Sequence, residues 1–123
     1  MRYNSVLDLH THTVASGHAY CSLREMAKAA SEKGLEVLGI TEHAPSMPGT
    51  CHKFYFNNLK VVPREMYGIQ LLLGSEVNIL DAQGTVDLEE KTLSNMDVVI
   101  ASLHTPCMKP ASRQKNTESY LNV

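Results

Sequence analysis

The sequence predicts an α/β fold on a parallel sheet. Runs of strand length and apolar character alternate with helical patterns, as crossover units require. V-L-G-I-T and L-L-L-G are nearly continuous in apolar character, the mark of strands covered on both faces. Residues able to hold a metal fall at the ends of four such runs, where parallel α/β folds build their sites.

The first strand is expected over residues 5–9. Ser22 then opens a helix with Glu25 three residues on, a capping box, and Leu23, Met26, Ala27 and Ala30 supply its apolar face. Gly34 stands where a helix-ending glycine belongs. The second strand is expected over 37–43, followed by a loop rich in Pro, Gly and aromatics over 44–56. An irregular helical segment interrupted at Pro63 is expected over 57–67. The third strand covers 69–79, and D-A-Q-G-T reads as a turn. Asp87 is expected to cap a short helix with Glu90 at its third position. The fourth strand covers 97–104. A polar stretch over 109–115 leads into N-T-E-S-Y-L-N-V, which reads as a helix cut off in its second turn.

Four parallel strands fall short of a closed barrel, which takes about 250 residues. The 123 residues are therefore expected to be the N-terminal portion of one domain, truncated at the C-terminus, with the edges of the first and fourth strands open.

Composition narrows the function classes. A formal charge of −2 leaves no basic footprint for nucleic acid. Three widely spaced cysteines, with no C-x-x-C pair, argue against a disulfide framework or a thiolate zinc site. With no signal-peptide pattern and no apolar run of membrane length, a cytoplasmic protein without membrane contact is expected.

The histidines carry the chemistry. His10 and His12, two apart on an extended chain, point to the same side and can grip one cation, with Asp8 on that face as well. His43 ends the second strand, Glu76 lies near the end of the third, and His104 ends the fourth. His18 reaches the same rim from the first loop. Glu76 follows L-L-L-G-S, where a carboxylate is costly to bury unless paired or metal-bound. Neutral imidazoles with a carboxylate suit zinc first, with manganese or iron as the other candidates. Glu42, beside His43, faces the other way and reads as structural or supporting. His52 and Arg64 are the candidate substrate contacts. Lys53 is a weaker one, and the cysteines and Met26, Met66 and Met96 read as packing.

D-L-H-T-H-T-V-A-S-G-H-A-Y, I-T-E-H-A-P-S-M-P-G, G-S-E-V-N-I-L-D and I-A-S-L-H-T-P together resemble the polymerase-and-histidinol-phosphatase (PHP) superfamily, in its small stand-alone phosphatase branch. The resemblance runs in order over essentially the whole chain. It implies the N-terminal part of a distorted seven-stranded, TIM-like α/β barrel with up to three metal ions at the carboxyl ends of the strands. It implies metal ligands at His10, His12, His18, His43, Glu76 and His104, with Glu76 bridging two ions and His18 and His43 on the third. The family pattern continues with a further His and an Asp-x-His, which do not occur after His104 here.

The activity so implied is hydrolysis of a small phosphomonoester by a metal-activated water. Clustered ions would polarise the phosphoryl oxygens and lower the pKa of water towards about 7. No side-chain nucleophile beyond the metal ligands is expected, and residues 1–123 alone are expected to show little activity. The alternatives are a histidinol phosphatase, a PHP module of a DNA polymerase, and a non-catalytic metal-binding protein. A polymerase fusion upstream of Met1 is not expected. Self-association is compatible with the resemblance, which includes trimers.

Overall fold

The computed structural model describes residues 5–109 and 111–123. Four strands run parallel in the order β1 (Leu7–Asp8), β2 (Val37–His43), β4 (Ile69–Asn78) and β5 (Val98–Ser102). The sheet curls as half of a barrel would. A fifth strand, β3 (Glu65–Met66), is antiparallel and borders the start of β4, on the edge that β5 takes further along. The helices are α1 (Leu23–Glu32), α2 (Lys53–Asn58), α3 (Glu90–Leu93) and α4 (Arg113–Asn122).

The centre of the sheet follows from its composition. All of β2 after Val37 is buried, and in β4 Leu71 and Leu73 are fully enclosed. Leu38, Ile40, Leu71, Leu73 and Val77 pack with Ala27 and Ala30 of α1 and with Phe56, Leu59 and Leu88. Each large aliphatic side chain so buried contributes about 1.5–3 kcal/mol. That apolar mass is what allows polar groups to be held rigidly at one end of the same strands. Gly74 lets β5 come close, since a Cβ there would lie 1.7 Å from the Val98 carbonyl oxygen. The outer strands are open, with Leu7 and Val99 both exposed.

The start and stop of α1 match their sequence signals. The Ser22 hydroxyl accepts from the Glu25 N–H, and the Glu25 carboxylate accepts from the Ser22 N–H at 2.7 Å. At the other end Gly34 N–H bonds to Ser31 O and Leu35 N–H to Ala30 O, the Schellman pattern.

Elsewhere the structure corrects the sequence reading. β1 is only two residues long, although the chain stays beside β2 as far as Thr11, whose carbonyl accepts from the Thr41 N–H. The segment 57–67 is not one broken helix. α2 begins earlier, at Lys53, passes into a 3-10 turn over Leu59–Val61, and is followed by β3. Tyr67 and Gly68 form a two-residue hairpin turn between β3 and β4, both with positive φ (54° and 78°). Asp87 caps no helix. Glu89 occupies that position, while the Asp87 carboxylate accepts from Asn78 and from the Ser46 N–H. α4 starts at Arg113, inside the stretch read as a polar lead, because the Ser112 hydroxyl accepts from the Lys115 N–H. The D-A-Q-G-T turn forms as expected, with Asp81 Oδ1 accepting from the Gln83 and Thr85 N–H groups. No helix among the described residues is long and apolar enough to cross a membrane.

Candidate metal centre

Parallel register puts the chemistry at one rim. His43, the last residue of β2, pairs directly with Glu76 of β4, and Glu76 pairs with Ile100 of β5. His104 lies two residues beyond the end of β5. His10 and His12 follow β1 in an extended segment held against β2 by the Thr11 hydroxyl, which donates to Gly39 O at 2.6 Å. Thr11 and Thr13 turn inward and are buried, so the alternate positions, His10 and His12, face the rim together.

Glu76 is the hub. Three imidazole nitrogens approach its Oε2: His43 Nδ1 at 2.9 Å, His10 Nε2 at 3.2 Å and His12 Nε2 at 3.3 Å. His104 Nε2 lies 3.3 Å from Oε1. Two donor groups therefore share one carboxylate, His10–His12–Glu76 and His43–Glu76–His104. The side chain of Glu76 is 4% exposed, and no Lys or Arg among the described residues pairs with it.

Burial works to raise the pKa of Glu76, but Ser102, His10 and His104 outweigh it and hold the carboxylate below its usual range. Burial pushes the His43 imidazole down to about 4, helped by the neighbouring His12, against the opposing pull of Glu76. Burial lowers His12 as well, more than the Glu76 and Glu42 charges raise it. Both rings are thus neutral at pH 7, the state in which imidazole binds a metal.

The residues fit a metal on their own geometry. Glu76 Oε2 and His43 Nδ1 are both buried, stand 2.9 Å apart, and make no hydrogen bond to each other or to any other of the described residues. Two lone-pair atoms aimed at one point without a shared proton are unfavourable unless a cation draws on both. The donor separations of 3.2–3.3 Å also match the edge of a tetrahedron, about 3.3 Å, that follows from metal–ligand bonds of about 2.0–2.1 Å.

His18 is near but belongs to neither donor group. Its ring lies 4.7 Å from that of His43 and 5.7 Å from that of His12, centroid to centroid. The 3-10 turn Val14–Ser16 delivers it through Gly17, whose φ is 78°. A Cβ at Gly17 would stand 2.1 Å from Gly49 O, so only glycine fits there.

The two candidate substrate contacts both have partners within the fold. His52 is exposed and caps α2, its Nδ1 accepting from the Phe54 N–H. Arg64 pairs with Asp97 at 2.6 Å and donates to the Leu59 and Val62 carbonyls. Arg64 O bonds to the Leu71 N–H, five residues before Glu76 on β4 and roughly 16 Å away along the strand. Lys53 pairs with Glu89, and Asp8 is exposed, its carboxylate accepting from the His10 N–H. Cys21, Cys51 and Cys107 are free thiols.

Ser16, Asn78, Asp87 and Ser102 went unremarked in the sequence as parts of this rim. Asn78 is two residues from Glu76 on the same face of β4, so the E-V-N spacing was the available signal.

A family profile describing the PHP domain matches residues 8–122. The chain belongs to the PHP domain family. A "probable phosphatase" of Clostridium novyi (strain NT) is 56% identical over 123 residues, all of this chain and 50% of the relative. One from Clostridium botulinum (strain Langeland) is 51% identical over the same span, again 50% of its length. Another, from Caldanaerobacter subterraneus subsp. tengcongensis, is 47% identical over 124 residues and is covered to 49%. This PHP chain spans about half the length of the curated relatives it matches.

Proposed function

We propose that this chain is the N-terminal portion of a metal-dependent phosphatase acting on small phosphomonoesters, zinc being the first candidate metal. One observation carries the reading: four imidazoles converge on the buried Glu76 carboxylate, with two donor atoms, Glu76 Oε2 and His43 Nδ1, left without hydrogen bonds among the described residues. In the proposed site His10, His12, His43, His104 and Glu76 would hold the ions, and His18 would join from the first loop. The relatives named as probable phosphatases support the reaction class.

Divalent ions held there supply positive charge to phosphoryl oxygens and bring the pKa of water towards about 7. The chain contributes the rest. Burial keeps His43 and His12 neutral, so their lone pairs are available without first losing a proton. Glu76 offers a carboxylate already ionised below neutral pH. The rigid β2–β4 register holds His43 and Glu76 side by side, which removes the ordering cost of bringing them together. The Ser16 hydroxyl is not free to act as a nucleophile, being buried and bonded to Glu42.

The chain as it stands is expected to be weakly active, because half the length of its relatives lies outside it. The test uses the protein at the length of those relatives, metal content measured first and phosphate release from a panel of phosphomonoesters second. Bound divalent metal with hydrolysis lost on chelation is the expected result. A metal-free protein, or hydrolysis indifferent to chelators, overturns the proposal.

A further inference from the structure

The hydrogen bonds behind the rim assign a proton position to two of its histidines. Asn78 is fully buried on β4, on the same face as Glu76. Its Nδ2 donates to Asp87 Oδ2 at 2.6 Å and to Ala44 O at 3.1 Å. The reverse amide orientation would set an oxygen against both of those oxygens, so the orientation is determined. Asn78 Oδ1 then faces His104 Nδ1 at 2.8 Å, and an amide oxygen can only accept. His104 therefore carries its proton on Nδ1, and its bare Nε2 is the atom 3.3 Å from Glu76 Oε1.

A separate network reaches the same result for His12. The single hydroxyl proton of Ser16 is spent on Glu42 Oε2, 2.5 Å away. Ser16 Oγ also accepts from the His43 N–H at 3.0 Å. Its remaining contact, His12 Nδ1 at 3.1 Å, must be a donation from the ring. Glu42 is wholly buried and anchored on its other side by the Thr13 N–H and hydroxyl, so Ser16 has no freedom to turn.

We infer that Asp87–Asn78 and Glu42–Ser16 are positioning pairs that lock His104 and His12 in the Nδ1–H tautomer, presenting bare Nε2 atoms to the ions around Glu76. The tautomers follow from donor accounting alone; their use rests on the metal reading above. The Nε2 lone pairs are then aimed before any ion arrives, and an incoming ion need not displace a ring proton.

The test is nitrogen NMR of the metal-free chain labelled with 15N-histidine, at a pH where the rings are neutral, followed by zinc titration. In the unaltered chain His12 and His104 should both show a protonated Nδ1 and a bare Nε2. Ser16→Ala should release His12 to a mixture of tautomers and leave His104 unchanged, and Asn78→Leu should do the converse. Each variant should bind zinc about 10–100-fold more weakly. An Nε2–H tautomer at either histidine of the unaltered chain overturns the inference, as does an unmoved His12 in Ser16→Ala. Should Asn78→Leu fail to fold, the unaltered chain and Ser16→Ala decide the matter. Absence of zinc binding with the expected tautomers would instead count against the metal reading and leave the tautomer assignment standing.

Discussion

Replacing Glu76 with Gln removes one charge while keeping the shape of the side chain, so it isolates what the carboxylate does. Three imidazole nitrogens lie 2.9–3.3 Å from its Oε2, and a fourth lies 3.3 Å from Oε1. An ion held between these donors lies no farther from the carboxylate than their own 3.3 Å spacing, and a unit positive charge at that outer distance interacts with it by about 5 kcal/mol at an effective dielectric constant of about 20. Since 1.4 kcal/mol is tenfold in affinity, Glu76→Gln should weaken zinc binding by roughly three to four orders of magnitude. Competition against a chromophoric chelator measures the affinity. A far-UV circular dichroism spectrum matching the unaltered chain shows that the sheet persists. Zinc held within tenfold of the unaltered affinity, with the fold intact, would refute Glu76 as the hub.

The metal-free protein should lose stability in mild acid. The His43 pKa is about 4 in the folded state against an ordinary 6.5, so the unfolded chain takes up the proton first. Stability from this group is complete above about 6.5 and falls as the pH drops from 6.5 towards 4. The depressed carboxylate of Glu76 adds a loss of the same sign at lower pH. A urea midpoint unchanged between pH 7 and pH 4.5 would contradict this. Gly74→Ala would drive a Cβ to 1.7 Å from the Val98 carbonyl oxygen and should cost about 1–3 kcal/mol, read from the same urea curves, with no loss expected only if β5 is not packed here. Ser22→Ala, which removes the capping box of α1, should cost about 1 kcal/mol and leave zinc affinity untouched. A change in zinc binding there would mean that α1 and the rim are coupled.

Which parts could be read from the sequence depended on the physics behind each. β2 was expected over 37–43 and found at Val37–His43, because a strand buried on both faces shows as an unbroken apolar run with sharp ends. The capping box at Ser22 rests on a local pattern that no tertiary contact disturbs. β3 was missed because its turn is Tyr67–Gly68, and Tyr at positive φ is not a turn signal. Asp87 was misassigned because a carboxylate before a short helix looks like a cap, while its bonds go to Asn78 and Ser46, a long-range arrangement invisible to local pattern. At the rim, strand-end placement gathered His10, His12, His43, Glu76 and His104, and left His18 beside the two donor groups. His52 was a candidate from its place in the loop and Arg64 as a partner for phosphate; in the fold His52 Nδ1 accepts from the Phe54 N–H and Arg64 pairs with Asp97.

X-ray absorption at the zinc edge of the zinc-loaded chain tests the convergence most directly. A first shell of nitrogen and oxygen at about 2.0–2.1 Å, with the outer scattering of several imidazoles and no sulfur, is expected for ions held around Glu76 by the rim histidines. A sulfur shell at about 2.3 Å, or a chain that retains no zinc, would contradict it.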